Sequence, residues 1–240
     1  KGVTMSFTLG CDPELICRRN GQFVPAHNYF KSQSSFGLDG CESTAEIRPG
    51  FSESPVDLTS KIYQILDYGR DKAPADVEFY SGHFVDGYAI GGHTHFSIDP
   101  IPEVIDGLDI VLGSLSNCID DKLQRQKRER SGYGKRGAYR KKHYGFEYRT
   151  PGSVLLSPSV TLVHLTLAKL SVIGVLEDKI NFIEMKNGHH SCTFLKSLKH
   201  SLHTIPDDCQ EGLKELDTLL GKKLNWNCDI LQNWGLRRCA

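Results

Sequence analysis

The sequence predicts an α+β protein in which helices cover one face of a mainly antiparallel sheet. Short runs that alternate apolar and polar residues all lie before Pro151, and Gly, Pro or Asn bounds them. Strongly apolar helical segments separate and follow these runs. Strand and helix do not alternate regularly, as a parallel sheet would require. At 240 residues the chain is long enough to bury a substantial core.

The N-terminal part of the chain is predicted to consist of strands joined by turns. Asn20-Gly21 supplies the positive φ angles of a tight hairpin between Leu15–Cys17 and Gln22–Val24. A loop rich in Ser and Gly then leads into a second strand around Glu46. That strand ends at Pro49-Gly50.

Helical spacing of apolar residues and two-residue alternation predict the later elements. In chain order these are helix Pro55–Asp67, strands Val77–Phe84 and Tyr88–Ile98, helix Val104–Arg130, a basic loop Ser131–Gly145, strand Phe146–Thr150, and helices Ser159–Asp178, Cys192–Leu202 and Asp208–Leu220. We expect residues 1–187 to form the main domain. Residues 188–240 are expected to be a helical extension packed on it.

The charge balance argues against a general attraction to polyanions. Lys plus Arg and Asp plus Glu both number 29, so the formal net charge is zero. Bulk charge therefore predicts neither a nucleic-acid partner nor an anionic membrane surface. The longest apolar run, Val160–Leu176, is interrupted by Thr, His, Lys and Ser, so no membrane span is expected. The first residues also lack the apolar middle of a secretory signal.

The cysteines are interpreted as reduced thiols. The eight residues are scattered and include no Cys-x-x-Cys pair. An even number could form disulfides in a secreted protein, but without a signal segment we expect a cytoplasmic protein with free thiols. A zinc site is a weaker alternative, because the spacings do not fit a finger or ribbon. Its ligands would come from Cys192, Cys209, Cys228, His189 and His190.

Four strand segments each place metal-type side chains on one side. Residues two apart in a strand share a face. The pairs that share a face in this way are Asp12 with Glu14, Glu46 with Arg48, His93 with His95, and Glu147 with Arg149. Apolar neighbours such as Leu9, Ile47, Phe96 and Phe146 point the other way. Because crowded carboxylates repel one another, such a front is expected to bind cations.

The two acidic segments near the N-terminus also have plain structural interpretations. Asp12 and Glu14 offer oxygen ligands for Mg²⁺, or form a turn with two solvated acids. The proline between them restricts the strand to an edge or a bulge. In the second segment the candidate ligands are Asp39, Glu42 and Glu46, and which of them face the site is open.

The later segments give stronger signals. His93 and His95 on a strand suit a metal or a phosphate, and the two glycines before them let a ligand approach closely. The alternative is a pair of surface histidines. Glu147 and Arg149 suit a metal and an anion, or form a surface salt pair. The apolar helix that follows favours a central strand, where charges need partners.

A basic segment with interleaved tyrosines covers residues 125–142. Its charges could contact nucleic-acid phosphates while the tyrosines stack on bases. They could instead close over a polyphosphate and neutralise its charge, or form a solvated helix end and loop. Glycines at positions 132, 134 and 137 favour a movable lid.

Taken in order, these segments resemble the carboxylate–amine ligase superfamily, which includes glutamine synthetase and glutamate–cysteine ligase. More narrowly, the chain is similar to small phage and bacterial amidoligases, the COOH-NH2 ligase type 2 group. The similarity covers about residues 5–175. Its four blocks are Gly10-Cys11-Asp12-Pro13-Glu14, Asp39-Gly40 with Glu46, His93-Thr94-His95-Phe96-Ser97, and Glu147-Tyr148-Arg149-Thr150-Pro151. Asp12 replaces the first Glu of the family pattern and has a shorter reach.

The resemblance implies a curved antiparallel sheet backed by helices, like the catalytic domain of glutamine synthetase. ATP and two or three Mg²⁺ ions, or Mn²⁺, would bind its open face. A small-molecule or peptide carboxylate would become an acyl phosphate, which an amine converts to an amide. The implied metal ligands are Asp12, Glu14, Asp39, Glu42, Glu46, His93 and Glu147. The implied catalytic residues are Arg136, Arg140, Arg149 and His95, and the implied nucleotide contacts are His95, Ser97, Arg136 and Arg140.

Three other functions stay open from the sequence. A guanidino-kinase-like phosphotransferase would share the scaffold and transfer phosphate to nitrogen. A nucleic-acid-binding module would use residues 125–142 and need none of the carboxylates. A metal-dependent hydrolase would act without nucleotide, although nothing in the chain resembles a His-Glu-x-x-His helix. The oligomeric state and the identity of both substrates are not indicated.

Overall fold

The computed structural model describes residues 6–31, 34–203 and 205–237. The strands are β1 (Leu9–Arg19), β2 (Gln22–Val24), β3 (Phe36–Leu38), β4 (Ala45–Ile47), β5 (Phe51–Ser52), β6 (Val77–Tyr80), β7 (Phe84–Val85), β8 (Tyr88–Ala89), β9 (Gly92–Phe96), β10 (Tyr139–Lys142) and β11 (Gly145–Tyr148). The helices are α1 (Pro55–Gly69), α2 (Pro102–Ile119), α3 (Lys122–Arg130), α4 (Pro158–Leu176), α5 (Phe182–Lys186), α6 (Ser191–Ser201), α7 (Gln210–Leu219) and α8 (Ile230–Asn233).

The eleven-residue strand β1 organises the main sheet, which has nine strands. The main path runs β10-β11-β9-β1-β4-β3, and β2, β5 and β6 pair with β1 at other points along its length. All pairings recorded among the described strands are antiparallel. Asn20 and Gly21 have φ angles of 52° and 73°, as the predicted hairpin requires. The prediction of a mainly antiparallel sheet with helices is confirmed.

Strand β1 carries a proline at a central position rather than at the predicted edge or bulge. Pro13 lies opposite Gly92 of β9. The Glu14 amide donates to the Gly91 carbonyl at 2.9 Å, and successive amides point to opposite sides of a strand. The Pro13 nitrogen therefore faces the other side. On that side of β1, pairing with β5 ends at Gly10 and pairing with β4 begins at Glu14. The Pro13 nitrogen lies between these two pairings. No ladder hydrogen bond is lost in this gap.

Helices α2 and α4 pack against each other on the apolar back of the sheet. Phe96 and Phe146, on adjacent strands, are fully buried, and their ring centroids lie 4.9 Å apart. Helix α4 has 19 residues and is the one described helix that is long and apolar enough to cross a membrane. However, 89% of its apolar window is buried inside the protein. A core helix passes the same length and composition test.

The predicted helix Val104–Arg130 is wrong in one respect, because the chain breaks between α2 and α3. Asp120 adopts an extended conformation with ψ of 157°. Its carboxylate lies 2.5 Å from the ring of His83, a residue from another part of the chain. Asp121 then caps α3 by accepting hydrogen bonds from the first free amides. Apolar periodicity does not reveal such side-chain contacts, which compete with helix formation.

The predicted loop Ser131–Gly145 contains strand β10, which forms a hairpin with β11. Gly145 makes this hairpin possible, since its φ is 144° and a Cβ there would lie 2.1 Å from the Phe96 carbonyl oxygen. The predicted strands Val77–Phe84 and Tyr88–Ile98 are each divided in two. The reason is a tight turn between β7 and β8. These two short strands pair with each other outside the main sheet, separately from β6 and β9.

The expectation of reduced cysteines is wrong for one pair, because Cys118 and Cys192 form a disulfide. Helices α2 and α6 pack against each other and bring the two Cα atoms to 5.8 Å, a separation that a disulfide spans. Cys192 is therefore unavailable for the alternative zinc site. Five other described cysteines are free thiols, and Cys239 lies outside the described residues.

The described residues after position 187 are held on the core by buried contacts. The Trp226 indole donates to the Ile119 carbonyl at 2.8 Å, and the Trp234 indole donates to the Leu155 carbonyl at 2.8 Å. Helix α7 packs on α4, and α8 packs on β6. The division of the chain at residue 187 stays a prediction.

Candidate functional site

Six side chains from four strands meet on the front face of the main sheet. This group is named the front cluster and consists of Asp12, Glu14, Glu46, His93, His95 and Glu147. The strand register brings its members together, because Asp12 lies opposite His93, Glu14 opposite Glu46, and His95 opposite Glu147. The residues between them face the apolar back, so the alternation expected from the sequence agrees with the register.

His93 lies at the centre of the front cluster. Its Nδ1 atom is 3.3 Å from Oδ1 of Asp12 and 3.4 Å from Oε1 of Glu147. Its Nε2 atom is 3.8 Å from Oε1 of Glu14. One ligand atom from each of Asp12, His93 and Glu147 lies within 4.8 Å of the others. His95 adds a second imidazole, with Nε2 at 3.0 Å from Oδ2 of Asp12.

Tyr133 closes one side of the front cluster, although the sequence does not single it out from the other tyrosines of the basic segment. Its hydroxyl lies 3.1 Å from Oε1 of Glu14 and 2.9 Å from Nε2 of His93. The hydroxyl also accepts a hydrogen bond from Nη2 of Arg149 at 3.4 Å. Burial, followed by the charge of Glu14, raises the pKa of Tyr133. The group therefore remains protonated at neutral pH.

Three cationic side chains surround Glu147. Lys142 lies 2.8 Å, Arg149 3.2 Å and Arg140 3.7 Å from its carboxylate oxygens. Arg140 and Arg149 are predicted site residues, but Lys142 is not. Lys142 stands two residues after Arg140, so it shares a face with Arg140 only because residues 139–142 form a strand. A prediction of strand β10 would have found it.

Three predicted site residues lie outside these contacts. Arg136 lies 3.4 Å from Asp109 of α2, behind the sheet. The side chain of Glu42 is 83% exposed and lies 3.8 Å from His27. Ser97 accepts a backbone hydrogen bond at 2.7 Å just beyond the end of β9. None of the three is brought to the front cluster by the hydrogen bonds and ion pairs of the described residues.

The carboxylates of the front cluster repel one another. Burial, followed by the charge of Asp39, raises the pKa of Glu14 to about 7. Burial, followed by the charge of Asp12, raises the pKa of Glu46 to about 9, and Asp39 contributes there as well. Between Asp39 and Glu42, Asp39 is therefore the one close enough to act on the cluster. A bound cation would relieve this repulsion.

Two carboxylates of the cluster are held ionised by their partners. Burial alone would raise the pKa of Asp12, but the adjacent imidazoles of His93 and His95 hold it well below its usual range. Burial opposes the ionisation of Glu147 in the same way, and Lys142 and His93 lower its pKa. These two groups therefore present negative charge at neutral pH.

The donor set of Asp12, His93 and Glu147 fits a divalent ion such as Mg²⁺ or Mn²⁺. Two carboxylates and one imidazole are ligands that these ions accept. Oδ1 of Asp12 is buried and accepts no hydrogen bond of good geometry from the part of the chain that the structure describes. A buried oxygen without a donor is destabilising unless a cation or another group satisfies it.

An aromatic group flanks the cluster beside His95. The Tyr144 hydroxyl contacts Nδ1 of His95. The ring of Phe51 meets the His95 and Tyr144 rings edge to face, at centroid distances of 6.1 and 5.1 Å. Phe51 is 46% exposed, so part of its aromatic surface is accessible to a ligand. Gly10 permits this packing, since a Cβ there would lie 2.9 Å from the Phe51 ring.

An antiparallel sheet whose front carries carboxylates, imidazoles and guanidiniums is the arrangement expected of a carboxylate–amine ligase. The family comparison agrees with it. The chain belongs to the phage phiEco32-like COOH.NH2 ligase-type 2 family, whose model matches residues 9–231. The predicted resemblance is confirmed, and the match extends beyond residue 175 into the C-terminal helices.

Among solved structures, a bifunctional glutathione synthetase from Pasteurella multocida is similar, with a TM-score of 0.53 and 10% sequence identity. The alignment covers 97% of this chain and 48% of that one, so the chain spans about half the length of that structure. At this identity the likeness concerns the fold alone. A comparison with curated proteins gives no match.

Proposed function

We propose that the protein is an ATP- and Mg²⁺-dependent ligase that joins a carboxylate to an amine through an amide bond. The observation that carries the proposal is the front cluster itself. Asp12, His93 and Glu147 lie within 4.8 Å of one another in a member of a carboxylate–amine ligase family. Cationic side chains stand directly beside these ligand atoms. Such a site suits a metal and a phosphate together.

The metal ligands fall into two groups. Asp12, His93 and Glu147 would hold one divalent ion, and Glu14 and Glu46, with Asp39, would hold another. When bound, these ions would supply positive charge that stabilises the transferred phosphoryl group. Neither Glu42 nor Ser97 is given a role in this proposal.

The cationic side chains bind and orient the anionic reactants. Arg149 is fixed by Glu147 and by the Tyr133 hydroxyl, so its remaining N–H groups have a defined direction. Arg140 and Lys142 have side chains 58% and 29% exposed, and they can reach a phosphate above the sheet. Their ion pairs with Glu147 favour this local role over nucleic-acid binding by the same segment.

The proposed reaction has two steps. An oxygen of the substrate carboxylate attacks the γ-phosphorus of ATP, and ADP leaves, which gives an acyl phosphate. The amine nitrogen then attacks the acyl carbon, phosphate leaves with the bonding electrons, and the nitrogen loses a proton. Phe51 and Tyr144 offer aromatic surface to the nucleobase.

Several broader features belong to the same proposal. We infer a glutamine synthetase-like catalytic domain over residues 1–187 and a helical extension over residues 188–240. The substrates would be small-molecule or peptide carboxylates and amines, and the protein would act in the cytoplasm, which is the host cytoplasm if a phage encodes it. The antiparallel sheet with an open, charged front supports the fold assignment.

A screen for ADP release tests the proposed function. The wild type is incubated with ATP, Mg²⁺ and pooled carboxylates and amines, and products are identified by mass spectrometry. We expect ADP and an amide together, and neither with Glu147→Gln. A phosphoguanidine product would support a guanidino kinase instead, and hydrolysis without nucleotide would support a metal-dependent hydrolase. Either result would overturn the proposal.

A further inference from the structure

A cavity of about 570 Å³ lies on the side of β11 opposite Glu147, between α2, α3 and the segment that follows α3. Tyr148 and Thr150 line it, and both alternate with the front residues Glu147 and Arg149. Asp109 of α2 also lines it and accepts a hydrogen bond from the Tyr148 hydroxyl at 2.6 Å. Its volume is within the range of small-molecule sites.

The cavity carries a local excess of positive charge. Its lining includes five Lys or Arg residues and two carboxylates, an excess of three positive charges in a chain whose net charge is zero. Arg125 of α3 and Arg136 of the following segment stand among these cations. One of the two carboxylates, Asp109, is already engaged by Tyr148, by a backbone amide at 3.0 Å and by Arg136. The lining therefore favours an anionic ligand.

Arg128 is the most informative residue of this lining. It is only 2% exposed, and no carboxylate lies within ion-pair distance of it among the described residues. Its guanidinium donates to the carbonyls of Thr150 and Arg149 at 2.5 and 3.4 Å, but its Nε atom has no partner. A Cβ at Gly134 would lie 1.9 Å from Nη1, so the backbone encloses the group closely. A buried cation without a counter-charge is destabilising.

A second buried polar atom of the lining also lacks a partner. Nδ1 of His83 accepts or donates no hydrogen bond among the described residues, while its Nε2 is bound to Asp120. Arg128 in addition links the cavity to the front cluster. Its guanidinium lies 4.8 Å from the ring centroid of Tyr133, whose hydroxyl contacts Glu14. One aromatic side chain thus connects the two regions.

We propose that this cavity binds a small anionic ligand, a molecule with a carboxylate or phosphate group, with Arg128 as the inner counter-ion and Arg125 and Arg136 at the rim. An effect of this ligand on turnover rests on the proposed function, whereas anion binding as such does not. Tyr133 would then transmit occupancy of the cavity to Glu14 and His93, because its ring and its hydroxyl contact the two regions.

Calorimetric titration without nucleotide or metal tests the proposal, with inorganic phosphate and succinate as separate probes. We expect saturable binding of at least one probe to the wild type, with a Kd of about 1–10 mM. The probe that binds more tightly identifies the anionic group. The double variant Arg125→Gln/Arg136→Gln should weaken binding at least about tenfold, which is about 1.4 kcal/mol. The NMR signal of the Arg128 Nε–H group should shift on saturation.

Two control variants locate the binding. Arg130→Gln removes an exposed charge of α3, the helix that carries Arg125, at a position outside the cavity. Lys142→Gln removes a charge beside the front cluster. Neither should change the affinity. Absence of saturable binding, an equal loss in Arg130→Gln, or a loss confined to Lys142→Gln would overturn the proposal. Glu147→Gln should stop turnover and leave this binding unchanged, so failure of the ligase proposal is distinguishable.

Discussion

The two faces of the main sheet differ in what they contribute, although their residues alternate one by one along the same strands. On β11, Glu147 points to the front, where His93 and three cations surround it. Its neighbour Phe146 points to the back and is fully buried against Phe96. Burial of apolar side chains stabilises the fold, whereas burial of charges costs free energy unless they are paired. The back around Phe146 therefore maintains the structure, and the front around Glu147 preserves the proposed metal site.

The largest change in stability is expected from Phe146→Ala on the back face. Loss of a fully buried ring leaves a cavity, so the free energy of unfolding should fall by about 3–5 kcal/mol. Urea denaturation measures the change. The matched control is Glu147→Gln, the next residue, for which we expect a loss of no more than about 2 kcal/mol. Equal losses in the two variants would contradict the division between the faces.

The front variant Glu147→Gln should have a larger effect on activity than Phe146→Ala. Glu147→Gln removes the charge of a proposed metal ligand, so ADP release should fall at least about 100-fold, which is about 3 kcal/mol in the activation barrier. Circular dichroism verifies that the variant is folded. Nucleotide consumption at the wild-type rate in the folded variant would remove Glu147 from the site.

Acid pH should weaken the back face through His164 of α4. The ring is fully buried beside the Thr94 hydroxyl at 2.9 Å, and burial lowers its pKa from 6.5 to about 4. The unfolded chain therefore binds the proton first, and this contribution to stability is lost as the pH falls from 6.5 towards 4. From pH 7 to pH 5 the wild type should lose about 2 kcal/mol more than His164→Gln.

The variant is needed as a reference because Glu14 and Glu46 act in the opposite direction. Their pKa values are raised in the folded state, so protonation on going to lower pH stabilises the protein. Denaturation of both proteins at several pH values isolates the histidine. Parallel stability curves for the wild type and His164→Gln would show that His164 does not titrate as proposed.

A smaller effect is expected from Arg149→Lys on the front. The guanidinium contacts Glu147 through Nη1 and Tyr133 through Nη2, and an ammonium group cannot maintain both directions. Loss of one charged hydrogen bond should reduce ADP release about 10- to 100-fold. Steady-state kinetics of the folded variant measure this reduction. Activity within twofold of the wild type would exclude a direct role for Arg149.

The alternation of the two faces could be predicted from the sequence because it depends on neighbouring residues. His93 and His95 share a face in any strand, and Phe96 then lies on the other. The hairpin at Asn20-Gly21 is equally local, since its positive φ angles follow from the residue types. Such features need no knowledge of the rest of the chain.

Features that join distant segments could not be predicted in this way. Tyr133 contacts Glu14 across 119 positions, and the disulfide joins Cys118 and Cys192 across 74. The position of Lys142 depends on strand β10, whose charged and exposed residues do not show the apolar alternation of a half-buried strand. The sequence therefore indicates the ligand types of the front cluster but not the side chains that surround them.

Binding of Mn²⁺ to the protein without nucleotide tests the central claim most directly. Electron paramagnetic resonance measures the free ion during titration of the wild type and of Asp12→Asn/Glu147→Gln. If the front cluster is a metal site, the wild type binds Mn²⁺ saturably, and the double variant binds at least about tenfold more weakly while remaining folded. No saturable binding by the wild type, or equal affinity in the folded double variant, would contradict the assignment of the front face.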